Sequence, residues 1–368
     1  MKITINTIVD YNNYGNRLQN YALQEVLESL GHEVETLKNY TKIEKPLHKK
    51  LINSLKSGNL KSKIKNKLSK NIVDDSLDLQ RITNFKKFTN KYIKETDNFV
   101  DQTSSDFSFL NSTDCFVIGS DQVWNCHFSR FSELDFALFS QKPKISYAAS
   151  FGISNIPDEW QELYKKGLNQ VDFISVRELA GKKIVEGITR KKATVVLDPT
   201  MLLSRKQWDS LTNNLARIEE PFILTYFLED PLEVNSKYIN EYANNKGLKV
   251  RQLGTRNDLE MWIADPAEFV NLFSQAEAIF TDSFHACVFA IIFEKYFEVF
   301  DRNTTMESMN SRIDTLLRDF NLETRWNRKS TNTLDSIDYI KINEVLKTRR
   351  EESLYFLKEA LKNIENEK

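Results

Sequence analysis

The chain opens on an apolar run, ITINTIV (residues 3–9), which has the length of a strand and is too short for a buried helix. A polar turn of Asp10, Asn12, Asn13 and Gly15 follows. Leu18, Tyr21, Ala22, Leu23, Val26, Leu27 and Leu30 then recur at helical spacing until Gly31 closes the segment. HEVETL alternates as a second strand. A β-loop-α-β start of this kind opens a doubly wound α/β domain.

The same pattern continues along the chain. DCFVIG (114–119), KISYAAS (144–150), DFISVR (172–177) and ATVVLD (193–198) read as strands, with EWQELYKKGLNQV and ELAGKKIVEG as intervening helices. After Pro199 the chain turns polar. A second series begins at FILTYFL (222–228) and runs through KVRQLG, EAIFTD and YFEVF, with helices between them. INEVLKTRREESLYFLKEALKNI reads as a long amphipathic helix or helix pair. The expected fold is α/β, with two Rossmann-like doubly wound domains facing a cleft. Its parts are an N-terminal domain over 1–203, a linker over 204–220, a C-terminal domain over 221–340 and a helix over 341–368. A chain of 368 residues has room for both domains. Open parallel sheets collect ligands at the carboxyl ends of their strands, so a site is expected in the cleft.

One segment breaks the pattern. From Lys38 to Lys70 lysines accumulate against a single acid, Glu44, while Leu47, Leu51, Leu55, Leu60, Ile64 and Leu68 recur near helical spacing. Two readings stay open: a solvated helical insertion, and a basic amphipathic segment in peripheral contact with an anionic membrane. Over the whole chain the net charge is −1, so no nucleic-acid partner is expected. No apolar stretch reaches the ~18 residues of a membrane span. The N-terminal MKITINTIVD lacks the hydrophobic region of a signal peptide. Cys115, Cys126 and Cys287 form no CxxC pair, and two of them lie in runs that read as buried, which points to reduced core thiols and not to a disulfide framework. The expected location is cytoplasmic, at the inner membrane face if the lysine-rich segment docks there.

Four stretches could carry chemistry. In TDSFHACVFAIIF, Thr281, Asp282 and Ser283 are N-cap types before a short apolar helix, which places His285 in its first turn. Backbone N–H groups and the helix dipole attract anions there, so His285 reads as an anion-binding residue, with a capping or core histidine as the plain alternative. In IGSDQVWN, Ser120, Asp121, Gln122, Trp124 and Asn125 follow a strand directly. A Trp face with amide and carboxylate edges suits a sugar, and a structural corner is the other reading. NNYGNRLQNYALQ brings Asn16, Arg17, Gln19 and Asn20 to a helix start; it is not GxGxxG, and no GK[ST] follows. SVRE ends a strand with Arg177 beside Glu178, a bidentate anion anchor or a strand-end salt bridge. HExxH and GxSxG are absent, and His127 beside Cys126 is an isolated pair. Neither a metal nor an organic cofactor is therefore expected.

Taken together, NNYGNRLQNYALQ, IGSDQVWN, SYAASFG, SVRE, VLDPT and TDSFHACVFAIIF resemble the polysaccharide pyruvyl transferase family, in the family's order from residue 10 to about residue 300. The resemblance implies a fold like the two-domain GT-B glycosyltransferases. It also implies transfer of the enolpyruvyl carbons of phosphoenolpyruvate (PEP) onto a pair of sugar hydroxyls, giving a pyruvate ketal, as in capsule, exopolysaccharide or cell-wall glycan synthesis. The N-terminal domain would face the glycan or lipid-linked sugar acceptor, and the C-terminal domain the PEP. His285 would be the acid and Asp121 a base on the acceptor hydroxyl. Asn16, Arg17, Gln19, Ser120, Gln122, Trp124, Asn125, Arg177, Glu178, Arg256 and Ser283 would contact substrates. Members with a clearer match carry an arginine at the position of Ser283, so another cation must compensate here; Arg177, Arg256 and Arg302 are the candidates. Two other functions remain open on the residues: a GT-B nucleotide-sugar glycosyltransferase, and a non-catalytic glycan-binding protein.

Overall fold

The structure is a computed structural model that describes residues 1–39, 61–302, 311–327 and 336–367, with only the helical backbone of 61–74. Residues 40–60 of the lysine-rich segment, on which much of the membrane-contact reading rests, lie outside the described residues. Beyond them the chain continues as a helix, Lys61–Tyr92.

The N-terminal domain is built on a 7-stranded sheet in the order β3-β2-β1-β4-β5-β6-β7. Its strands are β1 Lys2–Asn6, β2 Glu33–Asn39, β3 Glu95–Val100, β4 Cys115–Ile118, β5 Lys144–Ala149, β6 Phe173–Val176 and β7 Thr194–Val195. Helix α1 (Tyr14–Ser29) joins β1 to β2, and α2 (Lys61–Tyr92) precedes β3. Helices α3 (Gln161–Asn169) and α4 (Leu179–Ile188) flank β6 in sequence. All pairings are parallel. Parallel strands covered on both faces must be apolar throughout, and β4 and β5 are buried at every position.

The short helix α5 (Pro199–Leu202) and then α6 (Arg205–Thr212) lead to the second sheet. That sheet has the order β11-β10-β8-β9 and is also parallel. Its strands are β8 Phe222–Tyr226, β9 Lys249–Leu253, β10 Ala278–Thr281 and β11 Tyr296–Val299. The helices along it are α7 Glu233–Lys246, α8 Leu259–Trp262, α9 Pro266–Gln275 and α10 Phe284–Ile292, with α11 (Ser311–Asp319) after β11.

Residues 204–220, expected as a linker, are structured in part. Ser204 caps α6 in a capping box, and Trp208 on that helix is fully buried, packing on Tyr21 at 5.8 Å and Phe289 at 5.0 Å. One hydrophobic core therefore runs from Ile3 and Ile5 under the first sheet to Phe269 and Phe289 under the second. The last stretch is one helix, α12 (Tyr339–Asn366), and it returns to the N-terminal domain. Its Ser353 Oγ accepts from Leu197 N at 3.0 Å, and Arg350 donates to the carbonyls of Met201 and Leu203.

Candidate active site

Strand order reverses between β1 and β4 in the first sheet and between β8 and β10 in the second. A crevice opens where connections leave in opposite directions, at the carboxyl ends of the strands. In the first domain the loops after β1 and β4 meet there. Asn16 Nδ2 donates to Ile8 O at 2.8 Å and to Asp121 Oδ2 at 2.9 Å. Gln19 Oε1 accepts from Ser120 N at 3.1 Å. The amide-rich helix start thus ties the two loops together. Asp121 has φ 65, a left-handed conformation that turns its carboxylate back on its own loop, where Oδ1 accepts from Gln122 N at 2.9 Å.

From the end of β6, Arg177 Nη2 donates to Ser120 Oγ at 2.6 Å and lies 3.0 Å from Asp198 Oδ2. Its Nε and Nη1 are buried without a partner. Asp198 caps α5, accepting from Thr200 N at 2.9 Å. Burial alone would raise its carboxyl, but Arg177, then His285 and Thr200, hold it far below the usual carboxylate range. Asp121 is also held low: burial pushes up, and Arg177, His285, Asn16 and Arg312 outweigh it.

The C-terminal domain supplies His285 from the first turn of α10. Its Nε2 lies 3.8 Å from Asp198 Oδ2 and makes no hydrogen bond. Its ring fits against Gly15 at the start of α1, where a Cβ would come within 2.0 Å of Nδ1. Two helix N-termini, one from each domain, therefore converge on one imidazole. Ser283 does not cap with its side chain; its N–H donates to Thr281 Oγ1 at 3.0 Å.

Around this histidine stands a set of buried arginines. Arg177 lies over the Phe284 ring at 4.9 Å and Arg312 at 6.0 Å from the same ring. Arg302 Nη2 donates to Asp282 O at 3.1 Å, while Asp282 Oδ1 accepts from Leu228 N at 2.8 Å and so anchors the loop after β8. Burial, and then repulsion by Arg177 and Arg302, lowers Arg312 to about 10 despite Glu178 and Asp121 nearby. Like charges forced together out of water are unfavourable unless an anion joins them. Arg177, Arg302 and Arg312 thus gather positive charge near the start of α10.

Several expected contacts turn out to be supports. Trp124 is fully buried, stacks on Phe136 at 5.5 Å and donates Nε1 to Asp135 O, so it has no face for a sugar. Arg17 is sealed in a pair with Glu95 at 3.0 Å. Glu178 accepts from Ser150 Oγ and Phe151 N, both at 3.0 Å, fixing the turn after β5. Asn125 Nδ2 donates to Gln122 Oε1 at 2.9 Å beside Gly152, whose φ of 64 and lack of a Cβ leave room for both amides. Arg256 is exposed, pairs with Asp78 at 2.6 Å and lies over Trp262, apart from the buried arginine set. Arg312, which was not among the candidates, stands in the buried set instead. Nothing in its polar surroundings, SRIDTLLRD, signalled it. Asp198 stood within VLDPT, where an Asp-Pro after a strand signals a helix cap and hides the ion pair.

Among the described residues there is no group of acidic, Cys and His side chains that could hold a metal. The three cysteines are buried and free.

Solved structures of similar fold include a UDP-GlcNAc 2-epimerase from Methanocaldococcus jannaschii (13% identity, covering 94% of this chain and 92% of that one, TM-score 0.44). Another is a glycosyltransferase from Rickettsia africae (13% identity, 98% and 99% covered, TM-score 0.43). No curated protein matches the chain. Residues 13–303 match the model of one family, described as polysaccharide pyruvyl transferase. That span begins at the cap of α1 and ends just past Arg302, taking in Gly15, Asp121, Arg177, Asp198 and His285. Sequence and site thus lead to one assignment: the chain belongs to the polysaccharide pyruvyl transferase family.

Proposed function

We propose that the protein transfers the enolpyruvyl carbons of PEP to two hydroxyls of a sugar, forming a pyruvate ketal and releasing phosphate. The observation that carries this reading is the buried arginine set around Phe284 with His285 beside it. PEP has a phosphate and a carboxylate, and planar guanidinium groups match both. His285 gives a proton to the methylene carbon, which makes C2 electrophilic. A first hydroxyl attacks C2, the C–O bond to phosphate breaks, and a second hydroxyl closes the ring. Two hydroxyl protons are lost: one replaces the proton His285 gave to carbon, and the other leaves with phosphate. Asp121, on the acceptor side, orients the attacking hydroxyl. Its neighbours hold it ionised, so it takes up a proton only as the new C–O bond forms.

The donor is tested by thermal shift and by phosphate release. PEP should raise the unfolding midpoint without divalent ions, since every cation in the reading is an amino-acid side chain. Addition of a sugar acceptor should release phosphate from PEP. A shift seen only with a nucleotide sugar would overturn the reading in favour of a glycosyltransferase.

A further inference from the structure

A cavity of about 430 Å³ is lined by Asp121 and Gln122, by Asp10 and Asn13 from the loop after β1, and by His127, Phe128 and Arg130. Its charged groups are unequally engaged. Asp10 accepts from Asn12 N at 2.9 Å, and Asp121 is held by Asn16 and Gln122. Arg130 pairs through Nη2 with buried Asp135 at 2.5 Å, but its Nε and Nη1 have no partner although the side chain is only 7% exposed. Buried donors left unsatisfied destabilise a fold, so such a group calls for an oxygen acceptor. His127, exposed beside it, adds a further donor. The wall is braced: Gln102 Nε2 donates to the carbonyls of Ser129 at 3.2 Å and Arg130 at 2.9 Å. Phe128 is 37% exposed and offers the aromatic face that Trp124 cannot.

We propose that this cavity binds the acceptor sugar and selects one carrying an anionic group, phosphate or carboxylate, whose oxygens Arg130 and His127 take while Phe128 covers an apolar face of the ring. Calling that sugar the acceptor rests on the pyruvyl-transfer reading, through the shared Asp121. Selection of the anion rests on Arg130 and His127 alone.

The test is calorimetric titration of the full chain, without PEP, with three probes: α-glucose 1-phosphate, glucuronate and methyl α-glucoside. At least one anionic sugar should bind roughly ten- to a hundredfold tighter than the neutral one, the worth of a charge-assisted hydrogen bond. Which of the two binds tighter identifies the group. R130K keeps a charge against Asp135 but loses the fork, and H127Q changes an exposed side chain; both should reduce the preference. R312K, in the arginine set, should retain it. Equal binding of the three probes, no binding of either anionic sugar, a preference that survives both R130K and H127Q, or one lost in R312K alone would each overturn the proposal. PEP-driven phosphate release is scored separately. Its failure beside an intact anion preference would remove the pyruvyl-transfer reading and leave the selection standing.

Discussion

The imidazole of His285 lies against the backbone of Gly15, so closely that a Cβ at position 15 would stand 2.0 Å from Nδ1 and 2.5 Å from Cγ. One residue starts the first helix of the N-terminal domain, and the other starts a helix of the C-terminal domain. Gly15 needs no left-handed backbone; the neighbouring ring is what requires glycine. Helix propensity alone would make Gly15→Ala stabilising by about 0.5–1 kcal/mol. We expect the added methyl to displace the ring instead, lowering turnover by about 10²-fold while the protein stays folded by circular dichroism. An alanine variant with wild-type turnover would mean that the ring position does not matter to the chemistry.

His285→Asn keeps a polar side chain at the helix start. As proton donor, His285 should be worth ~10²–10⁴ in turnover, with PEP affinity changed far less. Arg177→Lys should show the opposite balance, because it keeps the charge and loses the guanidinium fork, including the Nε and Nη1 donors that no protein group engages. Steady-state kinetics separate the two. A fully active His285→Asn protein would reduce the histidine to a packing residue.

Much of this was legible in the chain. The strands were, because buried parallel strands are bare apolar runs, and β4, β5, β8 and β10 are each buried at every position. His285, Arg177 and Asp121 could be picked out because each directly follows such a run. Burial of neighbours could not be read. Trp124 looks the same in sequence whether it faces a sugar or Phe136, and only the fold shows that Phe136 covers it. Arg312 was hidden for a related reason: it matters through the company of Arg177, which lies far from it in sequence. The helix within 204–220 was hidden because its apolar side is little more than Trp208 and Leu211 in a polar setting.

Arg312 is held at about 10 by burial and by its fellow arginines, so its charge is unfavourable where it sits. For a base whose folded value is depressed, the unfavourable contribution is present at neutral pH and fades only as the pH rises through that value. Arg312→Met should therefore unfold at the same temperature as the wild type or higher. The PEP-induced rise in the midpoint should be lost. Paired thermal scans with and without PEP read both effects. A variant that is less stable yet still responds to PEP would assign Arg312 a purely structural role.

Asp198 combines the ion pair with the helix cap, and its pH behaviour is set by the direction of its shift. Its folded value lies far below the ordinary carboxylate value of about 3.9, with burial overcome by Arg177, His285 and Thr200. A depressed acid contributes stability that is fully present above the unfolded value and is lost as the pH falls toward the folded one. Asp198→Asn can still accept from Thr200 N as a cap, but it leaves the Arg177 charge buried beside Ser120 without its counter-ion. Stranding one member of a buried pair costs about 3–5 kcal/mol, so the variant should be much less stable than wild type at pH 7. The gap should narrow as the pH drops below about 4, where the carboxylate of the unfolded wild type begins to take up a proton that the folded protein does not bind. Asp121 titrates in the same direction, so the variant keeps a shallower acid slope of its own. Urea unfolding of both proteins from pH 7 down to the acid limit measures this. A gap that stays constant across that range would show that Asp198 stabilises the fold by packing and capping, with its charge playing no part.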